Sequence, residues 1–170
     1  MKRDILTTKY TPTRDKPVSL SVTKTSLVNF AATLENFFSK NFDGLVNVKT
    51  NISKQNLDYI AICAEQTAYF FKLLILYMHR ESTLYIDMSC DNDSNFIIRI
   101  ESDAFTDMTK SEIYEIVRAA KNAKFIPYET PTAIILKRPY KTSVSYRIYA
   151  TSHNALADAF NKIFFGDKKN

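Results

Sequence analysis

The chain has 170 residues, a formal net charge of +5 and 45% hydrophobic side chains, including 12 Phe and 10 Tyr, enough apolar material to fill one substantial core. It contains two glycines. That scarcity excludes the glycine-rich phosphate loops of most nucleotide-using enzymes, which need backbone amides pressed against the ligand through φ > 0 geometry.

Residues 1–16 are polar and charged, punctuated by Pro12 just before Pro17, and read as a loosely held arm ahead of one domain spanning 17–170. Val18, Leu20 and Val22 alternate with Ser19, Ser21 and Thr23, the pattern of a short half-buried strand. The period then changes: Leu27, Phe30, Ala31, Leu34, Phe37 and Phe38 recur at three- and four-residue steps, an amphipathic helix that Thr25 or Ser26 caps and that stops near Asn41 to Gly44. Val46, Val48 and Ile52 predict a second, exposed strand over 45–52. From Leu57 to His79 there is neither Gly nor Pro, and Ile60, Cys63, Ala64, Phe70, Phe71, Leu74, Ile75 and Met78 make a stripe wide enough to need cover on both sides of one long helix.

Leu84, Ile86, Met88 and Cys90 alternate with polar residues. Beyond Asp91-Asn92-Asp93-Ser94, so do Phe96, Ile98 and Ile100, which predicts an antiparallel hairpin. Thr109 and Glu112 have capping-box spacing ahead of Ile113, Ile116, Val117 and Ala120, a helix that ends around Lys124. Pro127 and Pro131 break the chain. Ala133–Arg138 and Ser143–Thr151 then read as a second hairpin, and 152–165 as a closing helix with Leu156, Ala159, Phe160, Ile163 and Phe164 inward. The predicted fold is α+β, a two-layer sandwich whose mixed, mostly antiparallel sheet is covered by helices on one face.

This element order resembles the ATP-binding domain of sensor histidine kinases, in the GHKL superfamily. It rests on Val18-x-Leu20-x-Val22 before an amphipathic helix, then the helix 57–79, then the hairpin 83–101. The resemblance spans residues 17–151 and implies three ligand boxes. A magnesium-binding asparagine is implied near Phe71 to Leu74, yet no asparagine lies between Leu57 and Asp91. An Asp-x-Gly-x-Gly box is implied where Ser102-Asp103-Ala104-Phe105-Thr106 stands. Ile98 and Ile100 put Ser102 in phase with the adenine-binding carboxylate, and Asp103 reaches that place with a one-residue slip, so Ser102 and Asp103 are the candidate nucleotide contacts. A glycine-rich lid is implied over Phe125 to Thr132, which contains no glycine. The phosphoacceptor helix has no room in the short arm before the first strand. The resemblance therefore implies a degenerate, non-enzymatic bacterial regulatory domain that has lost ATP binding, needs no cofactor and binds another protein.

Other constellations are weaker. His79 and His153 have no second ligand at metal spacing. Asp91-x-Asp93-x-Asn95 resembles the start of a calcium loop but meets Phe96 and Ser102 where glycine and glutamate are required. Cys63 and Cys90 read as small buried hydrophobes in a reducing setting, and with no leader pattern at the amino terminus a cytoplasmic location is expected. The greasiest stretch, Phe70 to Met78, is interrupted by Lys72 and falls short of the ~20 apolar residues of a membrane span. Charge is blocked: the balance is +5 over residues 1–80, −6 over 81–109 and +6 over 110–170. Lys137, Arg138, Lys141 and Arg147, interleaved with Tyr140, Tyr146 and Tyr149, offer a nucleic-acid surface as the alternative function. A divergent ATP site is a further alternative, as is an enzyme whose site assembles only in three dimensions.

Overall fold

The computed structural model describes residues 22–53, 59–90, 95–139 and 155–166. Strand β1 (Val22–Ser26) runs straight into helix α1 (Leu27–Phe42). The junction is held by Ser26, whose Oγ accepts from Asn29 N at 3.0 Å, and by Thr25, whose Oγ1 accepts from Asn29 Nδ2 at 3.0 Å, so an orphan amide of the first turn has its partner. All six residues of the predicted stripe, Leu27 through Phe38, are buried, and Phe42 extends it. Of the expected strand, Val22 is described and belongs to β1, which pairs with a second strand; Val18 and Leu20 lie outside the described residues.

Strand β2 (Val46–Ile52) follows as expected. The long helix over 57–79 is corrected: Tyr59–Cys63 is strand β3, antiparallel to β1, and helix α2 covers Ala64–Leu76. Ile60 and Ile62 bury alternate positions of β3. β-Branched residues with a pairing partner favour extended backbone, and a short apolar run does not distinguish strand from helix by periodicity.

Strands β4 (Ser82–Cys90) and β5 (Asn95–Glu101) form the predicted antiparallel ladder, with the connecting residues 91–94 outside the described set. A 3₁₀ turn, Asp103–Asp107, leads to helix α3 (Lys110–Asn122). Its capping box is complete: Thr109 Oγ1 accepts from Glu112 N at 3.1 Å, and Glu112 Oε1 accepts from Thr109 N at 2.9 Å. The expected break at Pro127 is a strand instead. β6 (Ile126–Glu129) turns through Thr130, whose amide donates to Ala133 O at 2.8 Å, into β7 (Ala133–Pro139). β5 and β6 occupy the two edges of β7, which leaves neither free for the hairpin expected with 143–151, a segment outside the described residues. Helix α4 (Ala155–Phe165) closes the described chain.

The main sheet has strand order β2-β4-β5-β7-β6, parallel between β2 and β4 and antiparallel elsewhere, and β1-β3 is a separate two-stranded sheet. Inward rows from β4 (Leu84, Ile86, Met88), β5 (Phe96, Ile98, Ile100) and β7 (Ile134, Leu136) share one continuous core with all four helices. The opposite face carries the alternate residues of each strand, as the period of two requires. No helix among the described residues is long and apolar enough to cross a membrane.

Candidate functional site

The end of β5 is where the candidate nucleotide contacts fall. Ser102 continues the inward phase of Ile98 and Ile100 and is buried at 2% exposure. Its amide donates to Thr132 O at 3.0 Å, and its Oγ accepts from Ala104 N at 3.2 Å. Its hydroxyl lies 2.6 Å from Ser82 Oγ, and Ser82 donates to Asp103 Oδ1 at 2.9 Å. With Ser82 donating to Asp103, Ser102 can donate to Ser82 and both hydroxyls have partners. Asp103 itself faces solvent. Arg80 closes the corner, donating from Nη2 to Asp103 O at 2.9 Å and pairing through Nε with Asp107 at 2.8 Å. Ala104 and Phe105 are buried beneath the turn. The structure thus brings Ser102 and Asp103 into one hydrogen-bonded corner.

Helix α2 is enclosed on two flanks. Toward α4, Phe71 packs against Phe38 and Phe160 at ring-centroid distances of 6.4 and 5.9 Å, and Phe37 meets Phe160 at 5.3 Å and Phe164 at 4.7 Å. Lys72, 3% exposed, sends its Nζ into this apolar layer to donate to Ile163 O at 3.1 Å; burial holds its pKa below the ordinary lysine value. Toward α3, whose Ile116, Ala119 and Ala120 are buried in the same core, polar contacts are added just past the end of α2. Tyr77 donates to the Glu115 carboxylate, and burial followed by that bond pushes its phenol up to about 12. His79 Nε2 sits 3.0 Å from Glu112 Oε1. Burial raises the Glu112 carboxyl, but the Thr109 amide and His79 outweigh it and hold it below the usual carboxylate value.

No protein-family model matches the chain, and no curated protein matches it. Solved structures do. It superposes on the Acinetobacter baumannii histidine kinase AdeS with a TM-score of 0.53 at 11% identity, over 83% of this chain and 75% of that one. The fold is histidine-kinase-like. The Erythrobacter litoralis EL346 blue-light activated histidine kinase (TM-score 0.42, 7% identity, 69% of this chain and 45% of that one) and the cytoplasmic segment of histidine kinase QseC (0.42, 11%, 71% and 74%) are more distant matches.

Within this histidine-kinase-like fold, both glycines serve as helix ends: Gly44 after α1 at φ +80 and Gly166 after α4 at φ +79, the left-handed geometry common at helix C-termini. Helix α3 ends on Lys124 at φ 69 without one. The stretch expected to be a lid, Phe125 to Thr132, is β6 and a tight turn. The basic set is divided. Arg138 is in phase with Ile134 and Leu136 and only 6% exposed, its Nη1 donating to Ala123 O at 3.0 Å with Cys63 Sγ at 3.7 Å and its guanidinium over the Phe125 ring. Lys137 points the other way, 5.8 Å from the Tyr128 ring centre. Lys141, Arg147 and His153 lie outside the described residues. The inward course of Arg138 was available from strand phase alone. No group of three His, Cys, Asp or Glu is placed to hold a metal among the described residues.

Proposed function

We propose that this histidine-kinase-like domain has lost ATP binding and acts without catalysis by binding another protein. The observation that carries the reading is the use of glycine. Both glycines close helices, so none remains for a loop that wraps a base or a triphosphate. The residues at the expected boxes do not fit the nucleotide either. Ser102 is spent on Ser82 and Ala104, apolar side chains and Lys72 fill the stretch Phe71 to Leu74, and 125–132 is hydrogen-bonded strand and turn. Ser102 also carries no charge with which to take a bond from an adenine amino group, as a carboxylate does.

Titrating the full chain with ATP and magnesium in a calorimeter tests this. We expect no saturable heat up to millimolar nucleotide; saturable binding in the micromolar range overturns the reading in favour of a divergent ATP site. Salt-sensitive binding of a mixed oligonucleotide pool, lost in the Lys137→Glu variant, favours the nucleic-acid alternative instead.

A further inference from the structure

The outer surfaces of this fold differ in whether their charges are already used. On the outer face of the main sheet the cations have neighbours: Arg99 pairs with Glu101 at 3.3 Å, Lys49 lies over the Tyr85 ring and Lys137 over the Tyr128 ring. The solvent face of α3 is different. Ile116, Ala119 and Ala120 turn into the core, and Lys110, Tyr114, Arg118 and Lys121 recur at four- and three-residue steps on the opposite side, one row about 16 Å long. All four are exposed, Tyr114 at 67%. None of the three cations pairs with a carboxylate among the described residues.

What flanks this row decides what can lie on it. Helical phase puts Ile113 and Val117, both half-buried, along one side. Glu115 and Glu112 run along the other, bonded to Tyr77 and His79. Across the helix the surface is therefore apolar, then cationic around one aromatic ring, then anionic. A string of phosphates carries one sign throughout and has nothing to set against Glu115; proteins that track a single strand also hold it in a groove, whereas the face of a helix is convex. A helix of another protein can complement all three strips. Its carboxylates, one turn apart, meet Lys110, Arg118 and Lys121, and the Arg118 fork takes one of them bidentately. Its apolar side chains cover Ile113, Val117 and the Tyr114 ring, and a basic residue on its far side faces Glu115. Resting on the protein-binding reading above, we infer that the solvent face of α3 is the docking surface and that it takes an acidic amphipathic helix of another protein.

The test uses the full chain and three labelled probes in fluorescence anisotropy: a helical peptide with Glu at one-turn intervals beside a row of Leu, the same peptide with Lys in place of Glu, and a mixed-sequence oligonucleotide. We expect the acidic peptide to bind in preference to the other two. Lys110→Glu with Arg118→Glu should weaken it at least tenfold and improve the Lys peptide, and Tyr114→Ala alone should weaken it several-fold while circular dichroism shows an unchanged fold. Absence of binding by the acidic peptide overturns the inference, as does unchanged affinity in either variant. Preference for the Lys peptide overturns it too, and preference for the oligonucleotide overturns it in favour of a nucleic-acid surface. Self-association in sedimentation that the same substitutions abolish overturns it in favour of a second copy. Should the double variant not fold, Tyr114→Ala decides. The nucleotide titration keeps the two readings separate: ATP binding with these peptide results sinks only the loss of ATP binding, and silent ATP with unaffected variants sinks only the surface.

Discussion

The two flanks of α2 hold the same helix by different means. Against α4 the contact is a layer of phenylalanines around one buried ammonium; against α3 small apolar residues, Ile116, Ala119 and Ala120, are bordered by the polar pairs Tyr77 with Glu115 and His79 with Glu112, next to a capped helix start. Apolar area removed from water stabilises by about 25 cal/mol per Å², whereas exposed ion pairs contribute about 0–1 kcal/mol. The α4 flank should therefore dominate stability and respond to pH at the alkaline end, and the α3 flank should be weaker, responding in acid through Glu112 and above pH 10 through Tyr77.

The largest effect is expected from Phe160→Ala. Phe160 is fully buried and meets Phe37, Phe38, Phe71 and Phe164, so truncation leaves a cavity among rings and should cost about 3–5 kcal/mol in urea unfolding. A loss below about 1 kcal/mol breaks the comparison, because α4 would then be an accessory rather than part of the core.

Lys72 sharpens the same flank. Its folded pKa lies below the unfolded value of 10.5, so between those two values the unfolded chain binds more protons and stability rises with pH. Tyr77, held to about 12, keeps its proton through that window. Unfolding measured from pH 7 to 10 should show the wild type gaining on Lys72→Met as pH rises. A flat difference means the ammonium is hydrated.

On the α3 side, Thr109→Ala removes the acceptor for Glu112 N and should cost about 1 kcal/mol, read as a shift of the urea midpoint at constant slope. A cost as large as that of Phe160→Ala removes the contrast between the flanks.

What the sequence made legible follows the same division. Periodicity found α1, the β4–β5 ladder, α3 and α4, because each is a regular element with one buried face, and the capping box was visible as Thr109 and Glu112. Strand phase also placed Ser102 inward. It missed β3, since Ile60 and Ile62 are extended by virtue of β1, a partner some 35 residues away in the chain. It missed the occupant of the α2 flank as well: Lys72 reaches Ile163 across 91 residues, and no local pattern announces such a meeting. Arg138 shows a different loss, since a basic residue read by composition suggests a surface, while its phase with Ile134 and Leu136 sends it to Ala123 and Cys63.

The smallest predicted effect is the most selective. Burial raises the Glu112 carboxyl, but the Thr109 amide and His79 hold it below the usual carboxylate value. A depressed carboxylate contributes stability above its unfolded value of 4.5 and loses it as pH falls through the folded value. Glu112→Gln keeps an acceptor for the Thr109 amide and removes the charge beside His79. The variant should therefore be less stable than the wild type by about 0.5 kcal/mol or less at pH 6, with the gap closing as pH falls below 4.5 and through the folded value, under which both side chains are neutral. High salt should shrink the gap at pH 6, and the Phe160→Ala deficit should not move with either variable. A Glu112→Gln gap that survives at pH 3 assigns the carboxylate a packing role, and the α3 seam is then held by shape, as the α4 flank is.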